Sequence, residues 1–214
     1  MAAAPEILAK LRRQLAERFP SAARVTGRVL GTHIAALDES VGGLPLSAIT
    51  EIVCAAPSCG GQLLLAQLLV VTRATRTRIA LVDSTDTFDP ASFPADQLAH
   101  LLWVRCQATA EALQAADLLV RDANLGLVVL DLRRAPEADL RRIPGPQWYR
   151  LQRAVEPTDL ALVVETPRPS VPSAQLRLAF ETSHDFSALD HERFTLTAGL
   201  APVLQRQRLQ ATAG

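Results

Sequence analysis

Lysine is almost absent from this chain. Lys10 is the only one, and every other basic side chain is arginine or histidine. An excess of either charge is missing too, with Lys+Arg and Asp+Glu at 22 each. That balance removes the global basic field expected of a protein that depends on nucleic acid alone. Cysteine is sparse and odd in number: Cys54, Cys59 and Cys106. Without C-x-x-C spacing, these form neither a disulfide framework nor a zinc site. Long apolar runs are lacking. The longest, Leu63–Val71, is interrupted by Gln67 and is too short to span a bilayer. No signal-peptide pattern is visible, so the expectation is a cytoplasmic protein with no membrane association. Neither G-x-S-x-G nor a Cys/His arrangement suggests nucleophilic catalysis.

What is present suits one globular domain with small extras. The 214 residues can bury a sizeable core, with 49% apolar and 21% charged side chains. Residues 48–71 read as a strand, a loop of small residues and an apolar helix. That is the setting of a P-loop, G-x-x-x-x-G-K-[ST]. The frame falls on Ala55, Gly60, Gly61 and Gln62, and only Gly60 matches. Gly61 stands where a lysine should reach the phosphates, and Gln62 where a hydroxyl should hold Mg²⁺. The glycines at the helix start could still present backbone N–H groups to an anion. Without the lysine and the hydroxyl, the expected outcome is a degenerate loop with no hydrolysis and no bound cofactor.

Residues 6–19 place Leu8, Leu11 and Leu15 on one helical stripe, and Pro20 ends the helix. The chain therefore divides into an amphipathic helix over 1–20, a linker over 21–40, a core over 41–209 and a tail over 210–214. Such a helix docks on a partner, on another copy or on its own core. Strands are predicted at 48–54, 78–83, 101–106, 125–132 and 159–166, with helices at 61–75, 109–123 and 147–155. Their alternation predicts an α/β core whose mainly parallel sheet is flanked by helices. Past Pro167, SAQLRLAFE (173–181) alternates with period two and predicts an edge strand. Residues 193–196 and 203–208 are further short strand candidates, giving antiparallel edge strands at the C-terminal end.

Three landmarks resemble RecA-type recombinases. The run Gly42-Gly43-Leu44-Pro45, with Ile49, Glu51 and Ile52, is similar to the segment that leads into their P-loop. ALVDSTDTFDP (80–90) is similar to their second core strand, and Leu127–Asp131 (LVVLD) sits where a Walker B strand ends in its aspartate. The resemblance is closest to ImuA (SulA-like), a RecA-like family associated with bacterial translesion DNA synthesis. It rests on Arg18-Phe19-Pro20, on Val82, Asp83, Asp86, Phe88, Asp89 and Pro90, on Leu101–Cys106 and on Ala112–Arg121. It covers most of residues 10–165. It implies a RecA-like core acting as a non-enzymatic adaptor in DNA-damage-induced (SOS) mutagenesis. The implied partners are RecA, a Y-family-like polymerase subunit of the ImuB type and an error-prone replicative-type polymerase. A homo-oligomer is a further expectation. The family frame puts the water-positioning glutamate at Thr85, which has no carboxylate, and leaves Asp131 as the Walker B-like acid.

The strongest basic feature is residues 133–153, with Arg133, Arg134, Arg141, Arg142, Arg150 and Arg153 around Trp148 and Tyr149. Arginines with aromatic stacking suit single-stranded DNA. The helical spacing of Trp148, Leu151 and Val155 equally suits a core face, with the arginines solvated or at a protein interface. Arg193, Arg206 and Arg208 form a second basic group near the chain end. His184-Asp185 and Asp190-His191 bracket a loop, read either as a metal pair or as a polar connection. An alternative to the adaptor is a regulator bound to single-stranded DNA or a RecA filament; a residual ATPase is the other.

Overall fold

The computed structural model describes residues 27–208. A short antiparallel pair, β1 (Val29–Leu30) and β2 (Leu44–Pro45), precedes the main sheet. Between them α1 (Ala35–Val41) buries Leu37 and Val41. Asp38 collects the backbone N–H groups of Thr32 and His33, which fixes the approach to α1. Gly42 then ends α1 in the left-handed conformation (φ 84°) that favours glycine.

Seven strands form the main sheet: β3 (Ala48–Cys54), β4 (Ile79–Asp83), β5 (Leu101–Arg105), β6 (Leu127–Asp131), β7 (Ala161–Thr166), β8 (Leu176–Phe180) and β9 (Val203–Gln207). Their spatial order is β5-β4-β6-β7-β3-β8-β9. The first six run parallel, and β9 returns antiparallel to β8. The helices are α2 (Gly61–Ala74), α3 (Ala95–Leu98), α4 (Thr109–Leu119), α5 (Glu137–Arg142), α6 (Gly145–Val155) and α7 (Arg193–Ala198).

Both faces of the sheet are covered, so its strands are continuous apolar runs. On one face α1 and α2 pack through Leu37, Leu64, Leu65 and Leu68 onto Ile52, Leu81, Val129 and Val163. On the other, α4, α5 and α6 pack through Ala112, Leu140, Trp148 and Leu151 onto Ile49, Val82, Leu130 and Val164. The apolar circumference of α2 is explained by its burial. A second covering layer, residues 181–200, lies over its N-terminal end, with His184 N donating to Ser58 O and Leu200 against Gly60.

The expected α/β core with a mainly parallel sheet is what the chain forms, and its C-terminal edge is antiparallel as expected. Three details differ. Part of the segment read as linker, 27–40, forms β1 and most of α1, and Ile34 and Leu37 are fully buried there. SAQLRLAFE contributes β8, which is an interior strand parallel to β3; β9 is the edge. The polar position Arg177 within the period-two run is paired with fully buried Glu51, with its side chain only 17% exposed. Residues 193–196 lie in the helix α7, not in a strand. The helix expected at 6–19 and the tail lie outside the described residues.

Candidate functional site

All six parallel strands end at the same edge of the sheet, and the degenerate loop 55–60 lies there. In open α/β sheets this carboxyl edge is where ligands bind. Asp83 is in register with Asp131, and Asp131 with Glu165. Each follows apolar residues of the face that packs on α2, so alternation turns all three carboxylates toward the loop and the start of α2. Asp83 is spent locally, accepting from the backbone N–H of Thr85 and Phe88 at 3.3 and 2.7 Å.

Asp131 and Glu165 hold a cation from their own chain. Arg133 lies two residues past the end of β6, so its side chain returns to the same side as Asp131. Its Nε and Nη2 donate to Asp131 Oδ1 and Oδ2 at 3.0 and 2.5 Å, and its backbone N–H donates to Oδ1 at 3.0 Å. Arg133 Nε is also 2.8 Å from Glu165 Oε2. That contact is an ion pair without hydrogen-bond alignment, and both Glu165 oxygens are buried with no hydrogen-bond partner. Burial opposes the Arg133 charge, but the carboxylates of Glu165 and Asp131 outweigh it and hold the guanidinium above its ordinary pKa.

The guanidinium fills the place that a side chain at position 61 would need. A Cβ on Gly61 would lie 2.6 Å from Arg133 Nη1, 3.0 Å from Arg133 Cδ and 3.1 Å from Cys54 Sγ. Glycine at 61 and arginine at 133 are therefore one arrangement. Gly60 is fixed for a different reason: its φ is 114°, and a Cβ would meet Leu200 Cδ2 at 2.5 Å. Ala55 and Gln62 are exposed. Burial, reinforced by Glu165, pushes the Cys54 thiol up, so it is held as a neutral thiol beside Cys59.

Burial pushes Glu165 up from 4.5 to about 8; Arg133 opposes this and Asp131 adds to it. Between those two values the folded chain keeps a proton that the unfolded chain releases. Stability should therefore fall as pH rises through that window, at up to about 1.4 kcal/mol per pH unit. Glu165→Gln removes the titration while keeping the shape. Urea midpoints at pH 5, 6, 7 and 8 should decline for the wild type and much less for the variant. Parallel declines would mean that Glu165 is ionised throughout.

The other expected site residues do not gather here. Thr85 donates its backbone N–H to Asp83, and Asp86 is paired outward with Arg105 at 2.5 Å. Over 133–153 the buried and exposed side chains separate. Trp148 is only 2% exposed, and Arg133 is tied to Asp131 and Glu165. Arg141 pairs with Glu137, Arg142 with Asp139 and Arg150 with Asp117. Arg206 donates to Pro172 O. Arg134 and Arg208 are exposed, as is Tyr149 at 42%. Leu8, Leu11 and Leu15 lie outside the described residues. Glu165 was missed by the sequence reading; the signal was a lone acid closing the apolar run 160–164.

Among solved structures, the chain is similar to the crystal structure of the RadB recombinase. The TM-score is 0.57 at 16% identity, over 71% of this chain and 82% of that one. The fold is RecA-like. No protein-family model matches the sequence, and no curated protein does. No helix among the described residues is long and apolar enough to cross a membrane.

Proposed function

We propose that this chain is a RecA-like accessory protein without ATPase activity. It acts as an adaptor between RecA and a Y-family-like polymerase subunit in DNA-damage-induced translesion synthesis. The observation that carries the first half is the filled loop. A nucleotide triphosphate needs a lysine, a hydroxyl-bound Mg²⁺ and a free Walker B-like acid. Here Gly61 and Gln62 supply neither group, and Asp131 is occupied by Arg133. Burial holds Glu165 toward its neutral form, and the one guanidinium beside the loop is already bound to Asp131, so among the described residues no free cation is left to meet a phosphate there. The adaptor role and its partners rest on the sequence resemblance to ImuA and on the RecA-like fold.

Phosphate release with Mg²⁺, ATP and single-stranded DNA should equal the buffer blank. Turnover abolished by Asp131→Ala would overturn the reading. Gly61→Lys should create no ATPase, because its side chain must first displace Arg133 and Gln62 still offers no hydroxyl. Binding of immobilised chain to purified RecA and to an ImuB-type subunit tests the second half. Absence of both contacts would remove the adaptor role and leave the first half standing.

A further inference from the structure

The covering segment 181–200 carries three large apolar side chains that stand exposed among the described residues. Phe186, Leu189 and Phe194 are 90%, 81% and 80% exposed. They are held firmly. Asp185 accepts from Ser187 N at 2.9 Å, Ala188 N donates to Asp185 O, and His191 N to Ala188 O. Arg193 donates to Ser92 O at 2.8 Å and lies over the Phe93 ring at 4.6 Å. The result is a preorganised apolar knuckle. It is edged by Asp185, Asp190 and Glu192, none of which has an ion-pair partner among the described residues. Such a surface suits an apolar, aromatic-floored groove rimmed by arginine, and its sign disfavours nucleic acid.

A groove of that chemistry lies on the opposite face of the same chain. A cleft of about 480 Å³ between the end of α4 and the outer side of α6 is lined by Arg121, Pro146, Tyr149, Arg150, Arg153 and Ala154. Its volume lies within the range of about 300–1,000 Å³ in which proteins seat ligands. Arg121 and Arg150 share the single carboxylate of Asp117, and Arg153 has no ion-pair partner among the described residues. The cleft is therefore left with positive charge. The sheet separates the two surfaces, because the knuckle anchors on the α2 side and α6 packs on the other. One copy cannot join its own knuckle to its own cleft.

We infer that the knuckle of one copy docks in the Tyr149–Arg153 cleft of the next. The contact is heterologous, so it builds rings or open chains and not a two-fold dimer. It is independent of the adaptor reading. A patch of three side chains is small, so association should be weak, in the range of about 10–200 µM.

Sedimentation velocity of the full chain over that range tests it. The weight-average coefficient should rise with concentration and fall back in 0.5 M salt. Phe186→Asp with Leu189→Asp removes the knuckle, and Tyr149→Ser with Arg153→Glu removes the cleft. All four positions are exposed or half-exposed, and circular dichroism confirms folding. Each double variant alone should stay monomeric. Their equimolar mixture should stop at a heterodimer, because one has only a cleft and the other only a knuckle. A wild type monomeric at 200 µM, assembly by either variant alone, or a mixture that remains monomeric would each overturn the proposal. So would a cleft variant that loses binding to a single-stranded oligonucleotide while assembling normally.

Discussion

Arg133→Leu should cost this chain about 3–5 kcal/mol, the usual effect of removing one partner from a buried ion pair. The substitution keeps apolar volume but leaves Asp131 and Glu165 facing each other across adjacent strands with no cation between them. Native domains hold only about 5–15 kcal/mol in total, so much of the fold's margin rests on this one side chain. Urea denaturation at pH 7 measures the loss. A companion variant separates the charge from the shape. Gly61→Lys alone should destabilise by about 1–3 kcal/mol through overpacking, since its Cβ falls 2.6 Å from Arg133 Nη1. In the Arg133→Leu background the same lysine brings a cation into the vacated space beside the same carboxylates. The double variant should then be more stable than the sum of the single losses by at least about 1 kcal/mol. Strict additivity would show that residue 61 and residue 133 do not compete for one place.

The second large effect is expected at Trp148. Trp148→Ala should destabilise by about 3–5 kcal/mol, the range for emptying a large aromatic site in a core. Trp148 packs with Leu151 and Val155 of α6 in the layer beneath α4 and α5, and its carbonyl accepts from Ser173 Oγ at 3.0 Å. A DNA-stacking residue would behave differently, with nearly unchanged stability and weakened oligonucleotide binding. For Trp148→Ala the folded fraction should bind an oligonucleotide as the wild type does. Tyr149→Ser makes the contrast, because Tyr149 is on the exposed side of the same helix and should leave the melting temperature almost unmoved.

The stripe Trp148, Leu151, Val155 was visible as helical spacing, and so was the competing array of arginines around an aromatic pair. Periodicity cannot choose between them, because either face of an isolated helix can be the buried one. The choice was made by α4 and the sheet, which supply apolar partners for Trp148 and a carboxylate, Asp117, for Arg150. The same limit explains α1. Its stretch, Ala35–Val41, is short and has no side-chain cap on its own first residue, so it has little local signal. Packing of Ile34, Leu37 and Val41 beside α2 makes it a helix.

The alternation of strands and helices, and with it the parallel sheet, is legible along the chain, because apolar runs and helical spacing are short-range patterns. That the loop before α2 has neither lysine nor hydroxyl is legible too, since residues 61 and 62 can be read directly. Tertiary structure alone decided what stands in the lysine's place. Arg133, Asp131, Glu165 and Gly61 come from separate elements, and no local pattern joins them. Parallel register sets Asp131 beside Glu165, and the return of the chain after β6 lays the guanidinium over Gly61. Ion pairing in a site closed to water needs that three-dimensional closeness, because charge attraction is strong only at a few ångströms and with solvent excluded.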